Sequence, residues 1–260
     1  MKNILKKNLL FSTLLAIIII FFLFSPFSDS ITFIRGQNNS NLLQSNVNYP
    51  ILLESQKTQS IAYVEKYSER NRDFLLTSFN KGKDFFPKIS NVLAGFGLPT
   101  ELKVLIAIES QFKANAVSKA GAVGYWQMMD EVAKDYGLKI GKGKQQTDDR
   151  KNLDKSTVAA ARLLKDACTE FQSNILLVVA SYNCGAGNVR KAIRKSGVDA
   201  AGFWDIKPFL PKETQLYVMN FITLNVIFHN FDKFSNRQLV FQPQILPTVP
   251  VSSLALITRS

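Results

Sequence analysis

Residues 99–129 read PTELKVLIAIESQFKANAVSKAGAVGYWQMM, and they predict more about fold and function than any other part of the chain. The first half predicts a helix with one apolar face, formed by Leu102, Leu105, Ile106 and Phe112 at three- and four-residue steps. Glu109 falls on that face. Burial disfavours a charged carboxylate, so we expect the pKa of Glu109 to be raised. Such a carboxyl could act as a general acid, although pairing with a buried Lys or Arg would also explain its position.

The second half of the stretch combines small residues with aromatic ones. Gly121 and Gly124 permit tight turns that bring backbone close to a ligand. Gln127 follows Trp126, and an amide beside an aromatic face suits a sugar ring, which has an apolar face and hydroxyl edges. The pattern alone nevertheless favours a second interpretation, in which Trp126, Met128 and Met129 fill the core.

The remaining pattern predicts an all-α chain. Apolar residues at helical spacing predict further helices at 61–79, 85–96, 156–171, 175–182, 189–195 and 212–228. No stretch has the sustained alternation of a strand series. We expect one helical domain at 57–232, a polar linker at 29–56 and an extended, proline-bearing tail at 233–260.

Residues 1–28 have the composition of a targeting segment. Lys2, Lys6 and Lys7 precede an uncharged, largely apolar run at 9–24, and no acid occurs. This order is typical of an export signal or a membrane anchor. The run is long for a signal core and no clean cleavage site follows it, which slightly favours an uncleaved anchor. In either case the lysines stay in the cytoplasm and the domain faces outward, so we expect a location in the cell envelope, periplasmic or membrane-anchored.

The composition of the 260 residues limits the chemistry further. Hydrophobic residues make up 46%, which excludes a mainly disordered chain. With one histidine and two cysteines, the usual metal sites and Ser-His or Cys-His pairs are excluded unless His229 itself serves. Cys168 and Cys184 could pair after export, but the sequence does not give their separation. The net charge of +12 points to an acidic partner.

Four motifs occur in an order that resembles a known family. They are ES-x-F from Glu109, S-x-x-G-A-x-G-x-W-Q from Ser118, A-S-Y-N-x-G-x-G from Ala180, and L-P-K-E-T-x-x-Y-V from Leu210. Together they resemble the catalytic domain of the family 1 lytic transglycosylases, the soluble-lytic-transglycosylase type, and most closely its membrane-bound D-type members. The resemblance covers about residues 60–230.

The resemblance implies a goose-type, lysozyme-like helical domain that acts on peptidoglycan. Glu109 matches the single catalytic acid. It would protonate the glycosidic oxygen between N-acetylmuramic acid and N-acetylglucosamine, and then take the proton from the muramyl O6 hydroxyl as that oxygen attacks. The product would be a 1,6-anhydromuramyl end, formed without water. We expect a monomer with no metal and no cofactor. Its expected partners are glycan strands and, if residues 1–28 are not cleaved, the membrane.

The resemblance implies that six further residues line the substrate cleft: Ser118, Gln127, Tyr182, Asn183, Glu213 and Tyr217. Glu213 matches a second buried acid that orients partners, although a first-turn position after Pro211 would also explain its charge. Cys184 departs from the alanine common in the family. Asp130 and Glu131 depart from its usual Met-Pro-like segment, so the next helix could start differently.

Three other functions are weighed against this one. A hydrolytic muramidase on the same fold would need a positioned water and usually another carboxylate near Glu109, and the motif block offers none. A non-catalytic glycan-binding protein would normally lack the acid, which is present. A nucleic-acid partner is disfavoured, because the chain has an export segment and its basic residues are not clustered.

Overall fold

The computed structural model describes residues 42–141, 147–242 and 244–245. Helices dominate these residues, which confirms the predicted helical class. The predicted signal or anchor at 1–28 lies outside the described residues, as does the first part of the predicted linker. Within the described ranges, no helix is both long and apolar enough to cross a membrane.

The α-helices of the described chain are α1 (Lys57–Arg70), α2 (Arg72–Gly95), α3 (Leu105–Ser110), α4 (Asp130–Asp135), α5 (Leu153–Glu170), α6 (Ile175–Cys184), α7 (Ala186–Ser196), α8 (Phe203–Ile206), α9 (Lys212–His229) and α10 (Phe231–Ser235). Short 3-10 helices lie at Ile51–Gln56, Thr100–Val104, Asp149–Lys151 and Lys207–Phe209. The four helices predicted after residue 150 are confirmed as α5, α6, α7 and α9. The first two predicted helices, 61–79 and 85–96, differ from α1 and α2 of the structure. The break between α1 and α2 lies at Asn71, whose side-chain amide donates to the Tyr67 carbonyl at 3.0 Å.

The chain divides into two units. One consists of residues 44–242 and contains all the helices given above. In the other, the described residues form two short antiparallel strands, β1 (Leu42–Leu43) and β2 (Gln244–Ile245).

The helical unit extends beyond the boundaries predicted from the sequence at both ends. Val47, Tyr49 and Leu53 are buried in the core, although the linker was expected to reach residue 56. Phe234 and Phe241 are buried as well, within the predicted tail. These apolar side chains contribute to the core because burying them removes apolar surface from water. The predicted limits at 57 and 232 therefore fall inside the packed unit.

Helix α9 is the central element of the core. It packs against α1 and α6, and its residues are buried around most of the helix circumference from Thr214 to Ile227. A helix that is apolar on nearly all sides is an interior helix. Its buried first turns hold Tyr217 in a fixed position beside the end of α3.

The helix predicted around Glu109 is shorter than its apolar spacing suggests. The chain forms a 3-10 turn at Thr100–Val104, and α3 then ends at Ser110. Phe112 therefore lies beyond the helix, with φ +63, and not on its face as predicted. It is still buried, and its ring packs 5.0 Å from that of Phe85. Glu109 consequently sits in the last turn of α3, next to open space.

Residues 113–129 form tight turns that pack on the segment before α5. Gly124 has φ +84, and a Cβ atom there would lie 2.1 Å from the Arg150 carbonyl oxygen, so only glycine fits. Trp126 is buried, and its indole nitrogen donates to Thr157 Oγ1 at 3.0 Å. The core interpretation is therefore confirmed for Trp126 and for Met128, which is also buried, and it is wrong for Met129, which is exposed. The turns that Trp126 anchors line the open space beside Glu109.

Candidate active site

Glu109 lines an open cleft of about 780 Å³. The walls come from α3, residues 118–132, α5, α6 and the first half of α9. All seven residues that the sequence assigns to a site lie on these walls: Glu109, Ser118, Gln127, Tyr182, Asn183, Glu213 and Tyr217. The fold thus gathers side chains that are as far as 108 positions apart in the chain.

Among the described residues, one side-chain hydrogen bond holds the Glu109 carboxyl group. The Tyr217 hydroxyl donates to its Oε1 atom at 2.5 Å. Burial raises the pKa of Glu109 from 4.5 to about 7; the hydrogen bond from Tyr217 lowers it, and the negative charge of Glu213 raises it again. In residues 42–141 and 147–242, Glu109 has no ion pair with Lys or Arg. The alternative of a buried ion pair is therefore wrong, and the raised pKa suits a group that both donates and accepts a proton.

Two tyrosines enclose the carboxyl group. Tyr217 is buried, and the Tyr182 hydroxyl donates to the Trp126 carbonyl at 2.8 Å. Burial, and then the charge on Glu109, raise the pKa of both phenols well above the ordinary value. Both phenols are therefore protonated at neutral pH, and the Tyr217 hydroxyl can donate to the Glu109 carboxylate.

Ser118 and Gln127 hold the turns of the cleft floor. Ser118 Oγ accepts from the Ala122 backbone at 3.0 Å. The Gln127 amide nitrogen donates to the carbonyls of Gly124 at 2.8 Å and Ala116 at 3.1 Å. The nitrogen is therefore used within the loop, and the amide oxygen Oε1 is the group that Gln127 offers to a ligand.

Asn183 and Glu213 lie where α6 ends and α9 begins. Thr214 Oγ1 donates to Asn183 Oδ1 at 2.8 Å, which ties the two helices together. Glu213 is exposed in the first turn of α9. The expectation of a second buried acid is therefore wrong. Glu213 lies on the exposed side of the first turn of α9, whose Thr214 and Gln215 are buried, and a carboxylate there complements the helix dipole. Glu213 still lines the cleft and raises the pKa of Glu109 through its charge.

The cleft also contains acids that the motifs do not include. Asp166 and Glu170 line it from α5, and the Tyr136 hydroxyl donates to Asp166 at 2.8 Å. Sequence reasoning missed them because they lie outside the four motifs. A spacing pattern could have indicated that they share one face of α5, because Leu163, Asp166 and Glu170 recur at three- and four-residue steps.

Among the described residues, the two cysteines and the histidine do not line this cleft. Cys168 and Cys184 are free thiols, and Cys168 is buried. His229 lines a different, smaller cavity. Among the described residues, no group of three His, Cys, Asp or Glu side chains could hold a metal ion.

A known family model matches part of this helical unit. Residues 95–215 match the family model described as the transglycosylase SLT domain. The matched residues run from the end of α2 into the start of α9 and include Glu109 with most of the cleft. Residues 95–215 of the chain are therefore similar to a transglycosylase SLT domain.

One protein of similar sequence is named a lytic transglycosylase. The chain is 32% identical to membrane-bound lytic murein transglycosylase D of Escherichia coli strain K12 over 170 residues, which cover 65% of this chain and 36% of the relative. The chain thus matches about a third of that protein's length.

Two solved structures are also similar to the chain. An inactive mutant of lytic transglycosylase Slt from Pseudomonas aeruginosa matches with a TM-score of 0.45 and 18% identity, over 76% of this chain and 38% of the other. The 70 kDa soluble lytic transglycosylase from Escherichia coli matches with a TM-score of 0.49 and 17% identity, over 72% and 32%.

Proposed function

We propose that this protein is a peptidoglycan lytic transglycosylase built on a lysozyme-like helical domain. It cleaves the β-1,4 bond between N-acetylmuramic acid and N-acetylglucosamine without water and leaves 1,6-anhydromuramyl ends. The observation that carries the proposal is the state of Glu109, whose pKa of about 7 is set by burial and by one donor, Tyr217. The SLT domain around it supports the choice of substrate.

In the first step Glu109 is the acid. Its proton passes to the glycosidic oxygen, the bond from that oxygen to the anomeric carbon breaks, and positive charge develops on the sugar ring. The carboxylate that remains lies beside this charge and is stabilised by the Tyr217 hydroxyl. With a pKa of about 7, a large share of Glu109 is protonated at neutral pH and ready to react.

In the second step the same carboxylate is the base. It takes the proton of the muramyl O6 hydroxyl while O6 forms a bond to the anomeric carbon, and Glu109 ends the cycle protonated. The substrate supplies its own nucleophile, so no positioned water is needed. The two-carboxylate arrangement of ordinary glycosidases is therefore not required.

The remaining cleft residues are assigned to substrate binding. Gln127 Oε1 and the Asn183 amide offer acceptors and donors to hydroxyl and acetamido groups. Ser118 and the Tyr182 hydroxyl are bonded within the protein, at Ala122 and Trp126, and shape the cleft around the sugar.

We assign the protein to the cell envelope as a monomer that acts on glycan strands. The composition of residues 1–28 supports this location, as does the similarity to a membrane-bound lytic murein transglycosylase. The membrane is a partner if that segment is kept, and no nucleic-acid partner is assigned.

Product analysis separates this function from its alternatives. Glu213 lines the same cleft, which favours a hydrolytic muramidase as the second candidate. Mass spectrometry of digested cell walls distinguishes the two, because an anhydro end is one water lighter than a hydrolysed end. Products with only hydrated reducing ends would exclude the transglycosylase, and intact walls would favour a non-catalytic glycan-binding protein.

A further inference from the structure

Thr214 lies behind the wall of the cleft, next to a residue that lines it. Thr214 is in the first turn of α9 and is almost fully buried, with 1% of its surface exposed. Asn183 is in the last turn of α6, and of the two only Asn183 lines the cleft. The packing of α6 on α9 brings them together across 31 positions of the chain. Any effect of Thr214 on a bound ligand must therefore pass through another side chain.

One hydrogen bond sets the orientation of the Asn183 amide. Thr214 Oγ1 donates to Asn183 Oδ1 at 2.8 Å. The terminal torsion of an asparagine side chain is broad and roughly two-fold, so the amide oxygen and nitrogen can exchange places at little cost. A hydroxyl that donates to the oxygen selects one of the two positions. Because Oδ1 is held at Thr214, the Nδ2 group is directed away from it.

The Cys184 thiol also hydrogen-bonds with the Thr214 hydroxyl. Burial raises the pKa of this thiol, and the hydrogen bond with Thr214 lowers it only in part. The thiol is therefore protonated at neutral pH, and a protonated thiol is a weak donor and a weak acceptor. It competes poorly for the hydroxyl proton of Thr214, which leaves that proton for the stronger acceptor, Asn183 Oδ1.

The Asn183 nitrogen is left for a ligand. Among residues 42–141 and 147–242, no group accepts a hydrogen bond from Asn183 Nδ2, although the side chain is half-buried. Gln127 has the opposite arrangement, because its nitrogen is bonded within its loop and its oxygen is left. The cleft thus presents one oriented amide donor and one oriented amide acceptor.

We propose that Thr214 is a positioning residue, which orients Asn183 so that Nδ2 donates to an acceptor oxygen of the bound glycan. The proposal rests on the function proposed above, because it takes the ligand to be a glycan. Without the hydroxyl the amide rotates, and in a share of the molecules Oδ1 faces the cleft. An oxygen in that place repels the acceptor that Nδ2 would bind. Loss of the Thr214 hydroxyl therefore weakens glycan binding, although Thr214 itself touches no glycan.

The test is a double-mutant cycle in a catalytically silent background. The full chain carrying Glu109→Gln is titrated with purified, uncrosslinked peptidoglycan strands of two disaccharide units. Adding Thr214→Val, which keeps the side-chain shape, is expected to raise the Kd roughly three- to tenfold, as loss of about one hydrogen bond predicts. Asn183→Ala raises the Kd at least as much. With Asn183→Ala already present, Thr214→Val changes the Kd by less than about twofold, because no amide is left to orient.

Two further variants separate positioning from a general structural role. Thr214→Ser keeps the hydroxyl and is expected to retain the affinity of the Glu109→Gln protein. Thr223→Val is the matched control, because Thr223 is also buried in α9 but its hydroxyl donates to the Met219 carbonyl at 2.8 Å, within the helix and outside the cleft. The control leaves the Kd unchanged, and urea unfolding compares the stability of the two valine variants.

Three results would overturn the proposal. Thr214→Val could leave the Kd unchanged, its full effect could persist in the presence of Asn183→Ala, or Thr223→Val could weaken binding equally. Failure of the Glu109→Gln protein to bind the strands at all would also count against it.

The cycle is independent of the proposed reaction, because binding is measured without cleavage. If the wild-type protein forms no anhydro products and the Kd still depends on Thr214 only when Asn183 is present, the proposed function fails and the positioning role stands. If anhydro products form and the cycle shows no coupling between Thr214 and Asn183, the positioning role alone fails.

Discussion

The Tyr217 hydroxyl donates a 2.5 Å hydrogen bond to Oε1 of Glu109. This bond stabilises the ionised carboxylate, whereas burial of Glu109 stabilises the neutral acid. The two effects oppose each other and leave the pKa at about 7. Glu109 can therefore exist in both forms near neutral pH, and a residue that is first acid and then base requires both.

Replacing Tyr217 by phenylalanine removes the donor but keeps the ring. We expect the pKa of Glu109 to rise, so the high-pH limb of the activity profile moves to higher pH. Activity at neutral pH falls roughly tenfold or more, because the carboxylate is less stabilised and less well oriented. The measurement is a pH–rate profile on cell-wall substrate.

Tyr49→Phe is the control for this prediction. Its hydroxyl is also buried and lies 3.0 Å from Ser60 Oγ, away from the cleft. The control profile is expected to match that of the wild type. An unshifted limb in Tyr217→Phe would contradict the role given to the hydrogen bond.

Glu109→Gln is expected to abolish cleavage and to stabilise the fold at high pH. The folded-state pKa lies above the unfolded value of 4.5, so the folded state binds its proton more tightly. That contribution is complete below pH 4.5 and is lost as the pH rises to about 7. At pH 8 the variant should therefore be more stable than the wild type by about 2–3 kcal/mol.

Urea unfolding at pH 4 and pH 8 measures this difference. The two proteins should be nearly equal in stability at pH 4 and should diverge at pH 8. Equal stability at both values would show that Glu109 is not held as a buried acid.

Glu213→Gln tests whether this exposed carboxylate takes part in the chemistry. Its negative charge raises the pKa of Glu109, so removing the charge should move the high-pH limb to lower pH. Anhydro products should persist, with activity within a few-fold of wild type. The control is Glu101→Gln, a first-turn carboxylate outside the main cleft. Loss of all cleavage in Glu213→Gln would instead assign this residue a direct role.

Arg150 holds the turns that form the floor of the cleft. Its guanidinium contacts Asp148 at 2.6 Å, Asp130, and the Met128 carbonyl, and it is almost fully buried. Burial tends to raise the pKa of Asp148, but the hydrogen bonds from Arg150 outweigh it and the pKa is lowered. Arg150→Leu leaves buried polar groups unpaired, so we expect a loss of about 3 kcal/mol in the free energy of unfolding.

Lys88→Leu is the matched control for Arg150. It breaks an ion pair with Asp154 in which both side chains are exposed, so the expected cost is below about 1 kcal/mol. Urea unfolding at pH 7 compares the two variants. Similar small losses in both would mean that the Arg150 cluster does not stabilise the cleft floor.

The part of the site nearest Glu109 could be predicted from the sequence because it depends on local spacing. The apolar residues around Glu109 recur at helical steps, which correctly predicted a carboxyl with a raised pKa. Tyr217 follows Glu213 by one turn, but no sequence pattern indicates that the phenol reaches Glu109. That contact depends on how α9 packs beside α3.

Other features could not be predicted because they depend on backbone geometry or on distant elements. The left-handed residues Gln111 and Phe112 end α3 early, and no glycine signals that end. The exposure of Glu213 follows from the direction in which α9 begins. Asp166 lies on α5, which contains none of the four motifs.

The central claim is that Glu109 cleaves the glycan without consuming water. It is tested most directly by mass spectrometry of the products that the full-length protein releases from purified cell walls, with Glu109→Gln treated in parallel. We predict muropeptides with 1,6-anhydromuramyl ends from the wild type and none from the variant. Hydrated reducing ends in place of anhydro ends, or equal products from both proteins, would contradict the claim.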